Sequence, residues 1–327
     1  MNPVTETFEC PTPLKSYLFK PDSYLPLVIE SEGMSLIELW DWLTVNKSWL
    51  EQTLLKHGGL LFRGFPLSTP QEFDQFINTI EPTTRPYIEG QSQRTKIYQQ
   101  IYTSTEYPAD QNITLHNELS YTSNPPRRLF FFCQIAPQVG GETPITDCRK
   151  VYEKMNLSRR DRFITKKVRY VKTMHNGKGF GKSWQQHFET SDPAKVEQYL
   201  QQSDVNFGWK ENGTLVTSQV RPSVLQHPES GEMCWFNQAD LWHYTNLGAI
   251  GDELVRLLGE ENLPTNAYYG DGTPIQPEDL SAIRQLFWHE ATIFTWHQGD
   301  VLLLDNRLTA HGRKAFKGER RILVAMA

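Results

Sequence analysis

Thr114-Leu115-His116-Asn117-Glu118 sets an imidazole and a carboxylate two residues apart. In an extended segment successive side chains alternate faces, so His116 and Glu118 would point the same way and grip one metal ion from one side. A hard carboxylate oxygen beside a borderline imidazole nitrogen suits Fe(II) or Mn(II) better than a thiolate site would. A facial triad needs a third ligand from elsewhere, and His311 in Asp305-Asn306-Arg307-Leu308-Thr309-Ala310-His311-Gly312-Arg313 is the candidate. Alone, the pair is equally compatible with a loop in which Glu118 caps a helix, and His311 with a solvated turn.

The surroundings supply further chemistry. Arg320-Arg321 opens the apolar run Ile322-Leu323-Val324, where a guanidinium could hold a carboxylate through a bidentate pair. Strand alternation sends the two arginines to opposite faces, so at most one meets the site. Gly140-Gly141-Glu142-Thr143-Pro144 follows the apolar run Leu129-Phe130-Phe131-Phe132-Cys133; its glycines permit close backbone approach and Thr143 offers a hydroxyl, although a plain hairpin turn reads the same way.

The elements that must position these groups change character along the chain. Residues 1–33 read as an irregular arm broken by Pro11-Thr12-Pro13 and Pro21. Ser35 to His57 carries helical spacing and is stopped by Gly58-Gly59. Leu60-Leu61-Phe62 reads as a buried strand, and Thr69-Pro70-Gln71-Glu72 is a capping box that starts a second helix. Beyond Glu81-Pro82 short strands dominate: 113–115, 128–135, 168–173, 215–220, 233–236, 292–296, 301–304 and 321–326. Helices are predicted near 147–156, 192–202, 251–259 and 277–289. Gly299-Asp300 suggests a hairpin that feeds the strand leading to His311. The expected organisation is an arm (1–33) followed by a single domain (34–327): a helical part at about 34–82, then a β-rich body with a mixed insert at about 150–290.

Composition narrows the function classes. The 327 residues are 38% hydrophobic and 12% aromatic, enough for a large packed core. A net charge of −5 without a basic block gives no nucleic-acid footprint. The apolar runs are too short to span a bilayer. Four scattered cysteines form no C-x-x-C, and no secretory leader is visible, so a cytoplasmic protein with reduced thiols is expected.

The ordered set His-x-Glu, Gly-Gly-Glu-Thr, Trp-x-x-Gly-Asp, Asp-Asn-Arg-x-x-x-His and Arg-Arg, with Tyr102 to Pro108 and Trp235-Phe236-Asn237-Gln238 in support, resembles the taurine dioxygenase and clavaminate synthase-like family from about Leu60 onward. It looks closest to the branch that modifies amino acids in peptide natural-product pathways, the syringomycin-type aspartate hydroxylase relatives. The resemblance implies a mainly β fold with flanking helices around a double-stranded β-helix, a jelly roll of cupin type. It implies Fe(II) held by His116, Glu118 and His311, with 2-oxoglutarate and O2 as co-substrates. Arg321 and Thr143 would hold the distal carboxylate of 2-oxoglutarate, and Asn112 falls where a relative contacts its substrate. Glu118 favours hydroxylation over halogenation; desaturation or cyclisation stays open.

One departure concerns the substrate. Four residues after Arg321, where relatives carry a substrate-binding arginine, this chain has Ala325, expected on Arg321's face and so toward the pocket. An amino-acid-like substrate would then use another cation, with Arg94, Arg128, Arg307 and Arg313 as candidates, or enter as a thioester on a carrier protein. A zinc or manganese enzyme of cupin-like fold and a non-catalytic binding protein are the rival classes.

Overall fold

The computed structural model describes residues 9–21, 23–87, 90, 94–179 and 181–327. Its frame is an eight-stranded sheet in the order Lys15–Lys20, Ser23–Glu30, Gly59–Arg63, Val301–Asp305, Arg128–Ile135, Arg321–Met326, Ile101–Thr103 and Lys96–Tyr98. The central strands are apolar at nearly every position because both sheet faces are covered. Phe130, Phe132, Val301, Leu303, Leu323 and Ala325 face one way, against the helices Leu36–Val45, Lys47–His57 and Pro70–Ile80 through Leu39, Leu43, Phe73, Phe76 and Ile77. Phe131, Cys133, Leu302, Leu304, Ile322, Val324 and Met326 face the other way, toward Leu115, Ile145, Leu308 and Ala310. Burying each such side chain contributes roughly 1.5–3 kcal/mol, which makes this alternation the main determinant of register.

Opposite that second face lies a three-stranded sheet, Ile113–His116, Thr309–Arg313 and Ile145–Asp147. A four-stranded sheet, Asn206–Trp209, Leu215–Arg221, Val168–Met174 and Thr265–Tyr269, belongs to the expected mixed insert and carries its own small core around Met174, Trp184 and Leu215.

Several expectations change. The predicted irregular arm covers two strands, Lys15–Lys20 and Ser23–Glu30, while its first eight residues lie outside the described ones. The breakers Pro11 and Pro13 precede the first strand and Pro21 stands in the turn between the two, so none of them interrupts a ladder. The single helix expected over 35–57 is two, interrupted at Asn46. Gly58 ends the second at φ +74, and its N–H donates to the Leu54 carbonyl. The segment 292–296 is no strand: Thr292 makes an isolated bridge with Ile145, and the Thr295 carbonyl accepts from Arg63. Gly299-Asp300 makes a turn but no hairpin, since Val301–Asp305 pairs with Gly59–Arg63 and Arg128–Ile135. There Arg63 pairs with buried Asp300 through both carboxylate oxygens. Among the described residues no helix is long and apolar enough to cross a membrane.

Candidate metal centre and its two cavities

His311 and His116 are direct antiparallel partners in the three-stranded sheet, with ring centroids 4.5 Å apart. The chain must come very close here: a Cβ on Gly312 would stand 2.6 Å from the Ile113 carbonyl oxygen, so only glycine can follow His311 without displacing the neighbouring strand. Glu118 arrives differently from the sequence expectation. The strand ends at His116 and a turn takes over, so alternation does not aim the carboxylate. Asn306 does. Its side-chain oxygen accepts from the Glu118 N–H at 2.7 Å, and its amide nitrogen donates to the Glu118 carbonyl at 2.9 Å. Asn117 returns the tie by donating to the Asn306 carbonyl. One ligand atom from each of His116, Glu118 and His311 lies within 4.8 Å of the others.

The donor set suits a divalent ion. His116 Nδ1 meets the Thr114 carbonyl at 2.8 Å, which leaves Nε2 with its lone pair free for a metal. Burial lowers the pKa of both imidazoles and keeps them neutral, as ligation requires. His311 Nε2 lies 3.7 Å from Glu118 Oε2, and that oxygen also accepts from Arg94 Nη2 at 2.8 Å. His311 Nδ1 has no hydrogen-bond partner among the described residues.

Two cavities meet at this cluster. The smaller, about 30 Å³, is lined by Ser104, Thr143, Phe131, His311, Arg313 and Arg320, together with Arg94, Thr105, Ile113 and His116. Arg320, and not Arg321, is the guanidinium here. Its Nε donates to the Gly141 carbonyl at 2.9 Å and its Nη1 to Ser104 Oγ at 3.2 Å. Burial pulls its pKa down to about 10, with Arg313 adding repulsion, so it stays charged at neutral pH. Arg321 has a side chain 52% exposed and reaches Glu319 at 4.0 Å. The sequence expectation had the alternation right and the face wrong: with both faces of the strand buried, hydrophobic pattern alone cannot say which looks at the site. Gly140 and Gly141, both at φ +72, bring the backbone to Arg320, and Thr143 Oγ1 accepts from Trp296 Nε1 at 3.0 Å.

The same shift moves Ala325 out of the pocket and into the helix-facing core. Four residues after Arg320 on the site face stands Val324, so the last strand still offers no second cation there.

The larger cavity, about 290 Å³, is lined by Tyr87, Tyr121, Trp242, His243, Tyr244 and Leu254 among others, Asn112 included. Asn112 Oδ1 accepts from the Ala315 N–H, which ties down the loop behind it. The cation candidates separate. Arg128 pairs with Glu51 and Glu81. Arg307 lines neither cavity. Arg313 donates to the carbonyls of Tyr107, Pro108 and Gln111 and staples that loop. Arg94 alone of the four lines the larger cavity. Sequence reasoning gave no role to Asn306, Trp242 or His243. Asn306 stood inside the Asp-Asn-Arg motif and was detectable there, whereas nothing in the sequence marks the other two.

Residues 21–326 match the family described as taurine catabolism dioxygenase TauD, TfdA family. The chain is 37% identical over 278 residues to the dapdiamide synthesis protein DdaC of Enterobacter agglomerans, covering 85% of this chain and 84% of that one. It is 28% identical over 324 residues to a clavaminate synthase-like protein of Arabidopsis thaliana, covering 96% and 93%. Among solved structures it shares the fold of PvcB, an iron- and alpha-ketoglutarate-dependent oxygenase from an isonitrile synthetic pathway, with TM-score 0.58, 15% identity and coverage of 98% and 93%.

Proposed function

Because the chain belongs to the TauD, TfdA family and is a non-heme iron, 2-oxoglutarate-dependent dioxygenase, we propose that it hydroxylates an unactivated C–H bond of an amino acid, free or carried as a thioester on a carrier protein, in a natural-product pathway. The observation that carries this reading is the cluster of His116, Glu118 and His311 between a small charged cavity and a larger aromatic one. DdaC, named for dapdiamide synthesis, supports the amino-acid class. We infer a double-stranded β-helix core from the two facing sheets, and a single domain including residues 9–33, whose strands extend the main sheet. A cytoplasmic setting accords with four free cysteines.

In this reading His116, Glu118 and His311 hold Fe(II). Arg320 and Thr143 take the distal carboxylate of 2-oxoglutarate in the small cavity, the role the sequence assigned to Arg321 and Thr143. The bound iron supplies the oxidation: O2 and 2-oxoglutarate become succinate and carbon dioxide as C–H becomes C–OH. The protein orients and shields. Asn306 fixes the Glu118 backbone, and the Tyr121 and Trp242 rings, 4.8 Å apart, wall the substrate side from water. With Glu118 occupying its ligand position, hydroxylation is favoured, and desaturation or cyclisation would use the same site.

The test is oxygen-dependent succinate release across amino acids, free and loaded on carrier protein. Stimulation by at least one amino acid, with a product heavier by one oxygen atom, is expected. Release stimulated by no amino acid in either form would refute the substrate class.

A further inference from the structure

Arg94 is the sole lysine or arginine among the described residues that line the larger cavity, and it lines the smaller one too. Its side chain is 3% exposed. The guanidinium lies over the Tyr87 ring at 4.0 Å, and Nη2 donates to Glu118. Nε and Nη1 are buried with no hydrogen-bond partner among the described residues. A buried guanidinium with spare donors is costly to keep, and a protein that keeps one commonly meets those donors with something that arrives later. Of the other arginines near the metal cluster, Arg313 spends both terminal nitrogens on backbone carbonyls and keeps only Nε spare, and Arg320, held on Gly141 and Ser104, is assigned above to 2-oxoglutarate; neither lines the larger cavity.

We propose that Arg94 is the substrate anchor: it receives a carboxylate of the substrate in the larger cavity, beside Glu118, through donors that Glu118 leaves unused. This rests on the amino-acid reading above and narrows it to substrates that keep one free carboxylate. That carboxylate is the α-group of a free amino acid or the side-chain group of an acidic residue held as a thioester. Arg94 then supplies the cation that the last strand lacks at Val324. The aromatic wall of Tyr121 and Trp242 takes the remainder of the molecule.

The experiment measures binding, not turnover. Protein loaded with Mn(II) and 2-oxoglutarate is titrated calorimetrically with the twenty proteinogenic L-amino acids, with their α-methyl esters, and with aspartate and glutamate esterified at either carboxylate. At least one acid should bind, and esterifying the anchored carboxylate should weaken it on the order of 10- to 100-fold, the worth of a hydrogen bond to a charged group. The half-esters identify which carboxylate is anchored. Arg94→Gln, measured with Mn(II) and 2-oxoglutarate at saturation because Arg94 Nη2 also holds the Glu118 carboxylate, should erase the acid–ester difference; Arg94→Lys should keep part of it. If Arg94→Gln proves unfolded, Arg94→Lys and the wild-type acid–ester comparison carry the decision. The proposal is overturned by an acid–ester difference that survives in Arg94→Gln, by a loss confined to 2-oxoglutarate or Mn(II), or by failure of every carboxylate to bind wild type. Amino-acid-stimulated succinate release that Arg94→Gln leaves intact would sink the anchor alone; absence of any stimulation would sink the functional reading.

Discussion

The two cavities beside the metal cluster are built from different material. The small one is walled mostly by strand residues, joined by Arg94, Ser104, Thr105 and Thr143 from the connections and by Arg320, which donates to a carbonyl and a hydroxyl. The large one is walled mostly by loops and short helical pieces: 105–112, the helix Ala239–Trp242 with the turn after it, and 263–265. It has one spare cation and an aromatic lining. A co-substrate pocket serves one small dianion and can be made rigid from regular strands. A substrate pocket is where relatives diverge, and irregular segments on a fixed scaffold change most easily. The difference predicts that substitutions on the small side act on 2-oxoglutarate and those on the large side on substrate.

The largest effect should come from the cluster that both cavities share. Glu118→Ala or His311→Ala should abolish hydroxylation and weaken Mn(II) or Fe(II) binding by more than the 10- to 100-fold typical of losing a supporting group. Native metal affinity in either variant, measured by calorimetry, would remove the centre on which the comparison depends.

The next effect separates two adjacent residues. Arg320→Ala should raise the 2-oxoglutarate Kd by about 10²- to 10³-fold, since breaking a buried charge pair costs roughly 3–5 kcal/mol. Arg321→Ala should stay within about twofold, because its side chain is half exposed. A reversed ranking would return the assignment to Arg321.

A smaller loss is expected from Asn306→Ala, which frees the Glu118 backbone: about 10- to 100-fold in metal affinity, with the ratio of substrate to 2-oxoglutarate KM unchanged. A change in only one KM would show that Asn306 shapes one cavity and not the ligand.

The smallest effect sharpens the large side. Burial, then repulsion from Arg284, lowers the His243 pKa from 6.5 to about 4. A depressed histidine binds fewer protons folded than unfolded, so its contribution is complete above pH 6.5 and drains away as pH falls toward 4. Near pH 5 the metal-free protein should have lost about 2 kcal/mol from this group. His243→Gln should flatten that part of the profile of Tm against pH. An unchanged slope would mean that His243 is solvated.

Much of the frame was legible because local rules and tertiary packing agree. The capping box at Thr69, the glycine stop at Gly58 and the strands Arg128–Ile135 and Arg321–Met326 stand where propensity and apolar runs put them. The strands at 15–30 were obscured by Pro11, Pro13 and Pro21, which lie before and between the two strands and do not interrupt their ladder. The segment 292–296 has strand-like residues but is held by a bridge and by Arg63, not by a ladder.

Residue chemistry and motif order, without any coordinates, single out His116, Glu118 and His311 as a candidate ligand set and an arginine near the last strand as its companion. A ligand set is a property of side-chain type, and the motif order ties it to a scaffold. Only the tertiary structure decided that Arg320 and not Arg321 enters the cavity, that Ala325 belongs to the core, and that Arg94, unrankable among four arginines in the sequence, stands beside Glu118 with donors to spare. Period-two alternation separates the faces of a strand but does not name them. What names them is which sheet or helix packs on each face, and that comes from residues far away in the chain.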